Sequence, residues 1–279
     1  MKRIQYETLD STNLEARRLW REEREERDAG AILREPLLLV ATEQSSGQGR
    51  SGRSWSSPAG GLWMSLTWPL KLGLEAYRAL PLVVGLATAR ALEEQFALPC
   101  RIKWPNDILV HGRKLAGILC QSDLQGGAGM IVAGIGINGN YSGEALGTSL
   151  RQPPTTLFDL VGRSVDLRAL EDAVVRRLVE CLEVYEQGGF ADRLLPDLRE
   201  RLAWKGEAVV CSEAEGRVLA QGTLLGVSED GCALVEKADG EIVSLAIGEM
   251  HLSPAPPKQN SSREPGAVGA WPPGRDAEV

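Results

Sequence analysis

The sequence lacks several features that would assign it to a broad class of protein. No apolar run approaches the roughly 20 residues needed to cross a bilayer, and the N-terminus has neither the apolar stretch nor the small-residue cleavage site of an export signal. The net charge of −7 leaves no surplus of Lys and Arg for general nucleic-acid binding. These absences predict a soluble cytoplasmic protein that binds neither membrane nor DNA.

Cysteine and histidine are too few and too scattered to suggest a zinc centre. The five cysteines contain no C-x-x-C pair, and the chain has two histidines. We therefore expect reduced, mostly buried thiols and no zinc site. Any anionic ligand must be held by local positive charge, which occurs in two short segments around Arg50 and Lys114.

Hydrophobic periodicity predicts alternating strands and helices over the first 203 residues. Strands are expected at 4–8, 37–41, 62–68, 101–104, 108–110, 115–121 and 130–137. Helices are expected from Thr12, where Glu15 completes a capping-box spacing, over about 75–96, from Asp166 as N-cap, and near 190–202. Because this alternation is too irregular for a parallel βαβ array, the predicted class is α+β with a mixed sheet.

The remainder of the chain changes character after Trp204. Short β segments at 208–212, 217–227, 233–237 and 242–246 suit a small SH3-like β-barrel. Residues 254–279 are rich in Pro, Gly and Ser and predict a disordered tail. The expected division is therefore a catalytic domain at 1–203, a barrel at 204–253 and the tail.

A glycine-rich segment at 42–55, TEQSSGQGRSGRSW, has the chemistry of an anion clamp. Gly47, Gly49 and Gly52 allow the backbone to approach a ligand, while Arg50 and Arg53 offer planar donors to phosphate or carboxylate oxygens. The segment is neither a P-loop nor a dinucleotide fingerprint. A solvated flexible loop is an equally good interpretation of this segment alone.

Three further segments carry polar or glycine residues at the predicted ends of elements. In KWPND (103–107), Pro105 imposes an extended or turned backbone that presents Asn106 and Asp107 at a strand end, while Lys114 of KLAGIL (114–119) opens the next strand. Asp107 is a candidate Mg²⁺ ligand or proton acceptor. An ordinary turn with a salt bridge is the alternative. The glycines of GIGIN (134–138) indicate either that a ligand lies close to the strand or that the strand contains a bulge. Residues 11–13 suggest a helix cap, which is compatible with ligand binding.

Together and in this order, these segments resemble the biotin protein ligase family. The residues that carry the resemblance are DSTN at 10–13, Gln44, GQGRSGRSW ending at Trp55, KWPND, KLAGIL and GIGIN. The resemblance covers 4 to about 202 as the catalytic domain, and the segment to about 252 is similar to the family's C-terminal barrel.

The resemblance implies an enzyme that joins biotin to ATP with Mg²⁺ and then transfers biotin from biotinyl-5′-AMP to a lysine of a carboxylase's biotin carboxyl carrier domain. It implies Arg50 and Lys114 as catalytic residues. Asp107 is our hypothesis for the third, which orients the attacking amine or relieves it of its proton, with Mg²⁺ binding as the competing role. The implied biotin-binding residues are Ser11, Thr12, Asn13, Gln44, Gln48, Gly49, Arg50, Lys114, Gly117, Gly134 and Gly136. The implied ATP-binding residues are Arg50, Arg53, Trp55, Lys103, Asn106 and Asn138.

The chain departs from the family pattern at several positions. Gln48 stands where many members have arginine, position 51 is serine, and residues 152–157 contain no aromatic side chain to stack on adenine. The N-terminus begins at the catalytic strand, which predicts a monofunctional ligase without a helix-turn-helix domain. Lipoate or octanoate ligation and non-catalytic biotin binding are the alternatives, and homodimerisation stays open.

Overall fold

The computed structural model describes residues 1–25, 35–71, 73–125, 128–146 and 152–253, so the predicted tail lies outside the described residues. The first sheet is built from β1 (Lys2–Leu9), β2 (Leu37–Gln44), β3 (Leu62–Pro69), β4 (Cys100–Lys103), β5 (Asp107–Val110), β6 (Arg113–Gln125) and β7 (Ala128–Ile137). Their order is β1-β2-β3-β7-β6-β5-β4. β1 and β2 are parallel and the other neighbours antiparallel, which confirms the mixed sheet.

Helices cover both faces of this sheet. They are α1 (Thr12–Glu25), α2 (Leu80–Phe96), α3 (Leu157–Val161), α4 (Leu167–Glu186) and α5 (Leu195–Arg201). Leu38 and Val40 of β2 belong to the large core, which includes α2 and α4, whereas Leu39 packs with Trp20 of α1 on the opposite face. Because β3 is covered on both sides, Leu62–Trp68 is buried throughout and its sequence is almost continuously apolar.

Several helix ends differ from the sequence prediction. Helix α2 begins at Leu80 rather than near 75, because Leu74–Tyr77 forms a separate 3-10 turn and Pro81 occupies the first α-helical turn. The predicted helix near 190 begins as a π turn before α5. The N-cap at Asp166 is confirmed, since its carboxylate accepts the backbone N–H groups of Arg168 and Ala169 at 2.8 and 3.0 Å.

A second sheet follows α5. It contains β8 (Ala208–Ser212), β9 (Val218–Val227), β10 (Ala233–Glu236), β11 (Ile242–Leu245) and β12 (Glu249–Leu252) in the antiparallel order β11-β10-β9-β8-β12. Four of these strands are predicted by the sequence, whereas β12 is not. Among the described strands no pairing joins β11 to β12, so a closed SH3-like barrel is not confirmed.

The cysteines follow the sequence prediction. All five thiols are free, and all except the partly buried Cys120 are buried. In the part of the chain that the structure describes, none of the helices combines the length and the apolar character required to cross a membrane.

Candidate active site

A pocket of about 510 Å³ opens between the first sheet and the second. Every residue to which the resemblance gives a catalytic or binding role lines it: Ser11, Thr12, Asn13, Gln44, Gln48, Gly49, Arg50, Arg53, Trp55, Lys103, Asn106, Asp107, Lys114, Gly117, Gly134, Gly136 and Asn138. Gly47 and Gly52 of the predicted clamp are not among the lining residues. The volume of the pocket lies in the range usual for small-molecule sites. The structure therefore brings the separate motifs into one cavity, while their individual roles stay predictions.

The glycine-rich segment forms a folded-back loop after β2. Isolated bridges join Gln44 to Ser57 and Gln48 to Ser54. At the tip, Ser51 and Gly52 have φ values of 54° and 73°, the left-handed region in which glycine is favoured. A side chain at Gly47 would lie 2.4 Å from the Trp55 carbonyl oxygen, so the loop closes here only around glycine.

The loop places the Trp55 indole on a flat floor made by two glycines. Gly117 of β6 and Gly136 of β7 are directly paired across the sheet. A methyl group on either would lie 2.7 to 2.8 Å from the Trp55 ring system. The Trp55 Nε1–H is buried and has no hydrogen-bond partner among the described residues. The close approach that the sequence predicts at the glycines of GIGIN is therefore made at Gly136 by an aromatic ring of the protein itself.

Gly134 is required for a different reason from Gly136. A methyl group there would lie 2.2 Å from Asn13 Oδ1. The Asn13 amide donates to the Leu119 carbonyl oxygen and to Gln121 Oε1, at 3.1 and 3.0 Å, while Oδ1 accepts from the Ser65 hydroxyl at 2.6 Å. Asn13 thus fastens α1 to the sheet, and both ends of its amide are already used within the protein.

The predicted capping box at the start of α1 is wrong. The Thr12 hydroxyl and backbone N–H both bond to Gln44 Oε1, at 3.2 and 2.8 Å, and Glu15 bonds to the Tyr6 hydroxyl and to Arg18 instead of reaching back. For Thr12, a partner from another strand has replaced the local one that the spacing suggested. As a result, neutral donors and acceptors line one end of the pocket.

Asp107 lies between two lysines at the opposite end of the floor. Its Oδ1 is 2.6 Å from Lys114 Nζ and its Oδ2 is 3.6 Å from Lys103 Nζ. Lys114 Nζ also lies 4.9 Å from the centroid of the Trp55 ring, and Lys103 Nζ lies 5.2 Å from that of Trp204. Burial lowers the pKa of Lys103, although the charge of Asp107 opposes this.

The second sheet contributes a wall of the pocket that the sequence analysis missed. Arg53 forms a two-point ion pair with Glu249 of β12, with N···O distances of 2.5 and 3.0 Å. Arg50 donates to the Gly248 carbonyl oxygen at 3.1 Å and to Asn106 Oδ1 at 3.4 Å. Burial lowers the pKa of the Arg50 guanidinium. One available signal was a glutamate among the mainly apolar residues 242–252.

Asn106 and Asn138, which are also predicted to bind the ligand, make hydrogen bonds within the protein. The Asn106 amide donates to the Ile118 carbonyl oxygen at 2.7 Å. The Asn138 amide donates to the Thr155 carbonyl oxygen at 2.9 Å and accepts from the Tyr141 hydroxyl at 3.1 Å. Both side chains line the pocket, but their observed bonds hold its walls together.

The carboxylates of the pocket do not form a metal cage. Asp107 is engaged by two ammonium groups and Glu249 by a guanidinium. No group of three or more metal-ligating side chains occurs within the described ranges. A magnesium ion held by the protein at Asp107 would have to displace Lys114, so the donor set does not fit a resident metal site. The four basic side chains and two carboxylates of the lining leave a surplus of positive charge, which suits an anionic ligand.

Comparison with known proteins agrees with this geometry. Residues 17–138 match the family model described as the biotin/lipoate A/B protein ligase family. The chain is 33% identical over 229 residues to the bifunctional ligase/repressor BirA of Salmonella typhimurium, covering 80% of this chain and 68% of that protein. The chain belongs to the biotin/lipoate protein ligase family. It spans 63 to 66% of the length of the first curated relatives that it matches.

Other members of the biotin/lipoate protein ligase family match over nearly their whole length. The biotin–[acetyl-CoA-carboxylase] ligase of Paracoccus denitrificans is 29% identical over 239 residues, covering 84% of this chain and 94% of that protein. The biotin protein ligase of Aquifex aeolicus, solved with biotin and ATP, has a TM-score of 0.71 and 28% identity, covering 90% of this chain and 99% of that one. The alignment to Aquifex spans both sheets, so the biotin ligase fold is shared.

Proposed function

We propose that this chain is an ATP-dependent biotin protein ligase that forms biotinyl-5′-AMP and transfers biotin to a lysine of a biotin carboxyl carrier domain. The names of its relatives support biotin and ATP as the substrates. The carrier is proposed from the same likeness. The cytoplasmic location, homodimerisation, the division at 203 and 253, and an SH3-like second domain stay predictions.

One observation carries the proposal, which is the order of chemical environments along the pocket. Thr12 and Gln44 supply neutral hydrogen-bonding groups, the Trp55 ring that lies on the paired glycines supplies an apolar surface, and Lys114 beside this ring supplies a cation. A ligand with a polar ring, an aliphatic chain and a terminal carboxylate would meet these environments in the same order. Biotin has this sequence of groups.

The basic residues fit the first chemical step. A carboxylate oxygen forms a bond to the α-phosphorus of ATP while the bond to the leaving pyrophosphate breaks, which brings two anions together. In the proposed reaction Arg50, Arg53 and Lys114 offset this repulsion and the charge of the transition state. Mg²⁺ would neutralise the phosphates of ATP and arrive with them, as it commonly does.

The second step requires an uncharged amine. A lysine side chain with a pKa near 10.4 must lose a proton before it attacks the acyl carbon and releases AMP. We propose that Asp107, the carboxylate beside Lys114, orients this amine or receives its proton. This role depends on Lys114 turning from Asp107 towards the anionic ligand.

Pyrophosphate exchange into ATP tests the function directly. Purified protein with Mg²⁺ would be compared with biotin, lipoate, octanoate or no acid, followed by transfer to a biotin carboxyl carrier domain. Exchange that depends on biotin supports the proposal. Exchange with lipoate or octanoate assigns lipoate or octanoate ligation instead, and no exchange with any acid by folded protein favours non-catalytic biotin binding.

A variant pair tests the role of Asp107. Asp107→Asn should slow transfer from preformed biotinyl-5′-AMP by at least tenfold, because the amide cannot accept the proton. Asp239→Asn, in the turn between β10 and β11, is the matched control and should leave the rate unchanged. Near wild-type rates of both half-reactions in Asp107→Asn would contradict the assignment.

A further inference from the structure

Lys103 and Lys114 contact the same carboxylate but occupy different environments. The Lys114 side chain is 24% exposed and approaches Asp107 Oδ1 at 2.6 Å, beside the Trp55 ring. The Lys103 side chain is 8% exposed and approaches the other oxygen at 3.6 Å. Its ammonium lies against the indole of Trp204, at the junction between the sheets. Lys103 is therefore the more enclosed of the two cations.

This difference matters when an anionic ligand enters. Lys114 can turn towards a carboxylate or phosphate only by loosening its bond to Asp107. A carboxylate as buried as Asp107, which is 8% exposed, is costly to leave without a cation. Lys103 is placed to remain with Asp107 because its ammonium is confined between that carboxylate and Trp204.

We propose, on the basis of the ligase function above, that Lys103 is a positioning residue that acts through Asp107, and not the ATP contact that the motif suggests. It holds the Asp107 carboxylate in place while Lys114 serves the substrate. Trp204 supports this arrangement by covering the ammonium with its ring. Lys114 thus faces the ligand, and Lys103 keeps Asp107 in place.

The proposal predicts a split between turnover and binding. Lys103→Met should lower the kcat of biotin-dependent pyrophosphate exchange by at least tenfold and change the KM for ATP by less than threefold. Removal of an ATP contact would instead raise the KM for ATP by tenfold or more with kcat preserved, and that result would overturn the proposal. Lys205→Met, which removes an exposed lysine at the same junction, is the matched control and should match the wild type.

A double-mutant cycle with Asp107→Asn identifies the route of the effect. If Lys103 acts through Asp107, adding Lys103→Met to Asp107→Asn should cost less than threefold in kcat. An equal loss in both backgrounds would overturn the proposal. Thermal unfolding checks each variant, and Lys103→Gln repeats the test if the methionine variant does not fold.

The wild-type control separates this inference from the proposed function. A folded wild-type protein that shows no biotin-dependent exchange contradicts the ligase function itself. Active wild-type protein combined with independent effects at 103 and 107 contradicts only the role assigned to Lys103.

Discussion

Adding one methyl group at Gly134 should disturb the pocket more than its size suggests. The Cβ of Gly134→Ala would lie 2.2 Å from Asn13 Oδ1 and 2.9 Å from Asn13 Cγ, so the amide would have to move by about 1 Å to reach an ordinary contact. That amide is 3% exposed and makes hydrogen bonds of 2.6, 3.0 and 3.1 Å. It has no space into which to withdraw without weakening them.

The expected cost combines steric and polar contributions. Overpacking a tight site costs about 1–3 kcal/mol, and each weakened hydrogen bond costs about 1 kcal/mol. We therefore expect Gly134→Ala to lower the free energy of unfolding by about 3 kcal/mol, measured by urea denaturation with an unchanged m value. The affinity for biotin should also fall, because Thr12, next to Asn13 at the start of α1, donates to Gln44 of β2.

Gly85 in α2 provides a control of the opposite sign. A methyl group there would meet Ile102 and Ile108 at 3.7 Å, an ordinary contact. Since alanine is favoured over glycine within a helix, Gly85→Ala should raise the free energy of unfolding by about 0.5–1 kcal/mol. A free energy of unfolding for Gly134→Ala equal to that of the wild type would show that Asn13 can move away from the added methyl group without cost.

Three further predictions concern the loop, its departure from the family pattern and the thiols. A double-mutant cycle of Arg53→Gln and Glu249→Gln should give a coupling energy of about 1 kcal/mol in the free energy of unfolding. The value is modest because Arg53 is half exposed, and additive effects of the two substitutions would argue against the ion pair. Gln48→Arg should slow release of biotinyl-5′-AMP about tenfold by adding a guanidinium to the clamp, as measured by stopped flow, and an unchanged rate would refute this. Burial raises the pKa of Cys100 to about 12 and of Cys211 to about 11, so iodoacetamide at pH 8 should label them only after unfolding; labelling of the native protein would contradict their burial.

The sequence predicts the elements of the first sheet well because their patterns are set by burial. The hairpin between β5 and β6 turns at His111 and Gly112, which both have positive φ values as a two-residue hairpin turn requires. Boundaries at α2 fail because a 3-10 turn and Pro81 decide where the helix begins. Hydrophobic periodicity alone does not distinguish these local geometries.

The candidate site is predictable as a set of residues but not as a set of partners. The motifs identify the lining of the pocket, yet the capping-box spacing at Thr12 does not predict its bond to Gln44, 32 positions away. Nor does spacing predict that Glu249 would meet Arg53 across the two sheets. Partners that are distant in sequence meet only after the backbone has folded, and the spacing of residues along the chain contains little information about which of them will meet.

The wall that β12 contributes has a consequence for engineering. Because Arg50 and Arg53 are held by Gly248 and Glu249, the pocket is assembled from segments at both ends of the described chain. A protein divided between α5 and β8 would have an incomplete cavity in each fragment. Fusing the two fragments to a pair of interacting proteins would therefore make ligand binding a reporter of their association.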